Sequence, residues 1–178
     1  MYIPSGSELL NPVTILTEAG VREGMHVADL GCGATGHIVF PASHMVGKNG
    51  IVYGVDILKS ALSGVESRAK LEGVTNVQTV WSDIEVYGAT KVPEASLDLA
   101  TLVNNRPSSA MMRETVRLIK PGGTLVVVDW VITATPFGPA SKDRIDTETV
   151  KRMAADLRLT LTKEFQAGQY HYGLIFKK

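Results

Sequence analysis

Asp29, Gly31, Cys32, Gly33, Gly36 and Asp56 are the residues whose types and spacing suggest chemistry. The glycines lie in the stretch VADLGCGATG, residues 27–36, where a short apolar run meets a turn. Clustered glycines let the backbone bend sharply and approach a ligand where a Cβ would collide. Amides that open the next helix can then face that ligand. Gly31 to Gly36 spells G-x-G-x-x-G, the dinucleotide fingerprint, and Asp56 ends a second apolar run at the place suited to ribose hydroxyls. On those features a nicotinamide cofactor such as NAD fits. Asp29, two residues before the first glycine, argues the other way. A carboxylate there repels a pyrophosphate and suits a cationic ligand end. S-adenosylmethionine (SAM) carries an ammonium, a sulfonium and an adenosine whose ribose still wants Asp56, so the electrostatics favour SAM.

These residues need a sheet to hold them. The sequence predicts strands over 26–30, 51–56, 77–81, 97–103 and 124–131, separated by helical patterns over 35–46, 58–71 and 110–119. Asn11 and Pro12 read as the cap and first residue of a short helix that Gly20 ends, with Leu10 and Ile15 as a staple across its start. Lys120-Pro121-Gly122-Gly123 reads as a helix stop. A long Pro/Gly-bearing loop, 133–145, suits a lid or substrate edge, with disorder as the competing reading. Asp146 caps a last helix, and strands over 158–165 and 170–176 close a hairpin across residues 166–169. Alternating β and α segments imply an α/β, Rossmann-like, doubly wound and mostly parallel sheet of seven strands, with an antiparallel strand from the hairpin.

Composition narrows the function classes. The 178 residues suit a single domain, with 1–20 an N-terminal segment and short helix and 21–178 the core. Lys plus Arg equals Asp plus Glu at 18 each, which gives no footprint of a nucleic-acid binder. One cysteine excludes an internal disulfide. Neither a signal-peptide pattern nor an apolar run of membrane-spanning length is present, so the expectation is a cytoplasmic protein without a membrane partner. A homo-oligomer stays open. His26, His37, His44 and His171 are the histidines. His37 and His44 share helical spacing, but no carboxylate or cysteine completes a metal site, so no metal is expected. His37 and His171 are candidates for a general base. Asp129 and Trp130 end the fifth strand, either as ligand contacts or as a capped strand end with a packed indole.

Five pieces, in order, carry a resemblance: Asp29-Leu30-Gly31-Cys32-Gly33, Val52-Tyr53-Gly54-Val55-Asp56, Trp81-Ser82-Asp83-Ile84, Ser96-Leu97-Asp98, and Leu118-Ile119-Lys120-Pro121-Gly122-Gly123. Together they resemble the class I SAM-dependent methyltransferases from about Val13 onward, most nearly the small-molecule branch of ubiquinone/menaquinone and arsenite methyltransferases. The resemblance implies SAM as cofactor and a small-molecule acceptor. It implies that Gly31, Cys32, Gly33 and Gly36 border the methionine part and that Asp29 holds its amino end. Asp56 takes the ribose hydroxyls and Ile57 presses on adenine. Asp83 accepts from the adenine amine, and Ile84 offers its backbone amide. Asn104 contacts the methionine part or the acceptor, which adds it to His37 and His171 as a catalytic candidate. Three departures stand out. Gly36 comes three residues after Gly33 where the family has two, the Asn-Pro-Pro-Tyr motif of amino-group methyltransferases is absent, and so are the arsenite enzymes' cysteines. A NAD-dependent oxidoreductase and a non-catalytic SAM-binding protein or subunit are the rival readings.

Overall fold

The computed structural model describes residues 9–178. A seven-stranded sheet carries the architecture: β1 (His26–Leu30), β2 (Ile51–Asp56), β3 (Val77–Trp81), β4 (Leu97–Val103), β5 (Ile119–Trp130), β6 (Thr160–Gly168) and β7 (His171–Lys177). Its spatial order is β3-β2-β1-β4-β5-β7-β6. The first five strands pair in parallel, and β7 runs antiparallel to both β5 and β6. The chain winds outward from β1 to β3, then returns to lay β4 on the other side of β1. That reversal opens a crevice beyond the carboxyl ends of β1 and β4, where ligands of open α/β sheets bind.

Alternation along each strand divides the core between two faces. Val27, Val52, Leu99, Val126 and Ile175 pack on one side with α1 (Pro12–Glu18), α2 (Val39–Val46) and α3 (Lys59–Glu72). Ala28, Val55, Ala100, Leu125 and Leu174 pack on the other with α4 (Ser109–Leu118) and α5 (Thr147–Asp156). The local signals at α1 hold: Asn11 accepts from the Thr14 N–H at 3.1 Å, and Gly20 turns the chain at φ +77. Among the described residues no helix is long and apolar enough to cross a membrane.

Four expectations need correction. The predicted helix over 35–46 begins only at Val39, because Gly36 sits at φ +56, which an α-helix cannot contain. Lys120 to Gly123 does not end in a loop. The helix stops at Leu118 and β5 starts at once, with pairing that jumps from Leu97–Ile119 to Leu99–Thr124 around a bulge. The hairpin loop shrinks to Gln169 and Tyr170, since β6 runs on to Gly168. The loop 133–145 is organised, not disordered. Arg144 gathers it: Nε donates to Pro139 O, Nη1 to Val131 O and Thr133 O, and Nη2 to Thr135 Oγ1, Phe137 O and Pro139 O, at 2.6–3.2 Å. The guanidinium also lies 5.2 Å from the Trp130 ring, and Gly138, at φ +86, packs on the same indole. Arg144→Met removes these bonds while keeping much of the bulk. We expect a loss of about 2 kcal/mol or more, with faster amide exchange confined to residues 131–145, measured by thermal unfolding and hydrogen exchange.

Candidate functional site

The glycine turn is fixed by bonds that the carboxyl end of β2 supplies. Gly31 N–H and Cys32 N–H both donate to Val55 O, at 2.7 and 3.0 Å. Asp56 accepts from Gly33 N–H on one carboxylate oxygen and from Leu58 N–H on the other, both at 2.9 Å. Gly31 and Gly33 take φ +80 and +63, where a side chain is strained. A carboxylate offers about four acceptor positions, so Asp56 keeps capacity for further donors after making both bonds.

Two cavities flank this turn. One, of about 170 Å³, is bordered by Leu10, Asp29, Gly31, Cys32, His37 and Asn104. The other, of about 320 Å³, is bordered by Gly31, Asp56, Ile57, Asp83, Ile84, Asn105 and Met111. The structure therefore gathers eight of the sequence-predicted cofactor residues around the two cavities; Gly33 and Gly36 border neither, and Gly33 is tied to the site through its bond to Asp56. Gly36 serves packing instead, since a Cβ there would meet the Phe40 ring at 2.8 Å.

Asp29 is 3% exposed and accepts a bond of 2.6 Å from the Thr101 hydroxyl. Burial pushes its carboxyl up to about 7, against the Thr101 bond and with help from the Asp56 charge. A buried acid facing a cavity and poised near neutrality is an anion in search of a cation. Asp83 accepts from Glu85 N–H at 3.0 Å, which shapes the turn, and borders the larger cavity. Cys32 is buried, and desolvation followed by the Asp29 and Asp56 charges pushes its thiol up to about 12. It packs against Gly54 as a small apolar residue and is no nucleophile.

The three catalytic candidates separate. His37 borders the smaller cavity and bonds Leu10 O through Nε2 at 3.1 Å. With Nε2–H as donor, Nδ1 is the acceptor nitrogen. Asn104 borders the same cavity in a left-handed conformation, φ +56, its N–H on Val128 O. His171 lines neither cavity. It is 1% exposed, stacks at 4.1 Å on Trp130 and has no partner for either ring nitrogen among the described residues. Burial and the Arg144 charge lower it to about 4, which keeps the ring neutral. Asp129 is a capped strand end: it accepts from Arg106 N–H at 2.8 Å and Trp130 N–H at 2.7 Å. Among the described residues no group of three His, Cys, Asp or Glu could hold a metal ion.

Sequence reasoning missed three positions. Thr101 tunes Asp29 from the neighbouring strand. Asn105 donates from Nδ2 to Leu30 O and lies over Gly31. Glu114, fully buried on α4, holds Gly88 N–H at 2.8 Å, Thr90 N–H at 3.0 Å and Arg117 in a fork. It thereby fastens the segment that follows Asp83. Thr101 and Asn105 act on partners far away in the chain, and although Glu114 has Arg117 three residues on, the two amides it holds lie at least two dozen residues back.

A family model described as a methyltransferase domain matches residues 21–171. The chain belongs to that family. This methyltransferase domain is 35% identical over 120 residues to a ubiquinone/menaquinone biosynthesis C-methyltransferase of Pseudoalteromonas translucida; the match takes in 65% of the chain and 46% of that relative. The chain thus spans just under half the length of the curated relative. Among solved structures it superposes on a SAM-dependent methyltransferase from Aquifex aeolicus with a TM-score of 0.88 at 24% identity, covering 98% of this chain and 93% of the other. It also superposes on an arsenic(III) SAM methyltransferase from Chlamydomonas reinhardtii with a TM-score of 0.65 at 22% identity, covering 89% and 64%. Family and fold agree on a methyltransferase domain.

Proposed function

We propose that this domain transfers a methyl group from SAM to a small-molecule acceptor. One observation carries the reading. Asp29, Asp56 and Asp83 stand in sequence along a single crevice, facing two cavities that meet at Gly31. A pyrophosphate has no use for a buried acid such as Asp29 beside the glycine turn, whereas a ligand with a cationic end does.

The donor set fits SAM along its length. Asp29 holds the amino end, and Gly31, Cys32 and Gly33 border the methionine part. The acceptor positions of Asp56 left after its two backbone bonds accept from the ribose hydroxyls. Ile57, half exposed beside the larger cavity, covers the adenine face. Asp83 accepts from the adenine amine while Ile84 presents its backbone amide. When bound, SAM supplies a methyl carbon made electrophilic by a sulfonium. The protein's own share is alignment of the acceptor and exclusion of water. Leu10, Ile38 and Val103 give the smaller cavity an apolar wall for that purpose. Asn104 orients the acceptor from the end of β4, and His37 Nδ1 is the group available to take a proton. The relative's name makes ring carbons of quinol-type compounds the first acceptor class to test.

Calorimetric titration with SAM, its demethylated product S-adenosylhomocysteine and NADH tests the cofactor reading. We expect the first two to bind and NADH to stay silent. Asp56→Ala, checked for folding by circular dichroism, is expected to weaken SAM by about 30-fold or more, equivalent to about 2 kcal/mol from hydrogen bonds to a charged group. Binding of NADH alone overturns the reading.

A further inference from the structure

The two cavities share one lining residue, Gly31, and a side chain fills the passage over it. The Asn105 carboxamide lies flat against the glycine: Oδ1, Nδ2 and Cγ stand 2.5, 2.6 and 2.7 Å from where a Cβ of residue 31 would be. Nδ2 donates to Leu30 O, the carbonyl that opens the glycine turn. The backbone that presents this side chain is held from both sides. Asn104 N–H donates to Val128 O at 2.9 Å and Arg106 N–H to Asp129 Oδ2 at 2.8 Å. Both flanking residues sit in the left-handed region, φ +56 and +47, a combination that non-glycine residues keep only where the surroundings enforce it.

We propose that Asn105 determines cofactor affinity and selectivity by acting as a removable bar between the two halves of the crevice. The inference rests on the SAM reading above. A ligand with both an amino-acid end and an adenosine end must cross Gly31, so it must displace the carboxamide from Leu30 O. A ligand confined to one cavity need not. Because the loop backbone is pinned, the displacement is a rotation of the Asn105 side chain and not an opening of the loop. A ligand ammonium offers Leu30 O a charged donor in place of the neutral amide, so a cationic spanning ligand recovers the lost bond better than a neutral one. The bar thus discriminates by length and by charge.

Asn105→Ala tests this with three probes: adenosine, which fits one cavity, and S-adenosylhomocysteine and SAM, which span both. Removing the bar is expected to tighten both spanning ligands about fivefold, the worth of one neutral hydrogen bond no longer broken, and to speed their association, with adenosine unchanged within twofold. Asn105→Gln keeps a donor and adds bulk, and is expected to leave the spanning ligands no tighter than in the wild type. Weaker binding of S-adenosylhomocysteine to the Ala variant overturns the proposal, because Asn105 is then a contact of the bound state. Equal changes for adenosine and S-adenosylhomocysteine, or no change in either, also overturn it. If the wild type binds neither SAM nor S-adenosylhomocysteine, the SAM reading itself fails and the bar falls with it.

Discussion

Asp29→Asn should make the protein more stable at pH 8 and poorer at binding SAM. The carboxyl of Asp29 titrates near 7 in the fold, against 3.8 when free of it, chiefly because burial disfavours the anion. The folded state therefore holds a proton that the unfolded chain gives up between those two values. Stability tied to that proton is intact below about pH 4, declines as the pH rises, and is fully lost above about pH 7. The difference amounts to about 4 kcal/mol at pH 8. An asparagine keeps an acceptor for Thr101 and carries no charge to bury. Its gain should therefore be large at pH 8 and near zero at pH 4, read from denaturant midpoints across that range. Binding should move in the opposite sense. A cationic ligand takes the ionised acid, so wild-type affinity for SAM should fall about tenfold per pH unit below 7, and the asparagine variant should show no such slope. Titrations near pH 6.5 in buffers of different ionisation enthalpy should report a released proton for the wild type alone. A flat affinity profile in the wild type would detach Asp29 from the ligand's charge.

Glu114→Ala should be the most damaging single change away from the crevice. Burial on its own raises a carboxyl, but Arg117 and the amides of Gly88 and Thr90 outweigh it and hold Glu114 down at about 2. Removing the acid leaves the buried Thr90 amide, the Gly88 amide and the Arg117 guanidinium without this partner. We expect a loss of about 3–5 kcal/mol, or a fall in melting temperature of roughly 10 °C for a chain this size. The sign of the pH effect is the reverse of that at Asp29. Stability from this depressed carboxyl is present above about pH 4.5 and disappears as the pH falls toward 2, worth about 3 kcal/mol in total. Glu114→Gln should accordingly flatten the acid limb of the stability curve, measured by thermal melts from pH 2 to 7. Because Glu114 fastens residues 88–90, the change should also loosen the larger cavity, and adenosine should weaken more than methionine.

What was legible in the sequence follows from how far each signal reaches. The strands of the central sheet announce themselves as apolar runs bounded by turns, and the cap at Asn11 acts within three residues. The glycine turn and Asp56 sit close enough in the chain to be read as one device, and the structure joins them through Gly33. Arg144, Glu114 and Asn105 look like ordinary polar residues, because what distinguishes them is the set of backbone groups brought to them by the fold. Loop 133–145 shows the effect in reverse: its prolines and glycines suggest freedom, and a single guanidinium at its end removes that freedom. His171 shows the same dependence on the fold. An imidazole on a late strand is a candidate base by residue type, but its ring stacks on Trp130 and borders neither cavity.

The placement of β7 bears on how the protein is made. Strands appear on the ribosome in sequence order, yet the seventh lies inside the sheet, between the fifth and the sixth. Until residues 171–177 emerge, β5 exposes an unpaired edge with an apolar surface on both faces, and β6 has no neighbour at all. A nascent chain stalled before that point presents a long sticky edge, the kind that chaperones and other copies of the chain recognise. Completion of the sheet thus waits for β7, and a chain cut before residue 171 would lose two strands of the sheet instead of one.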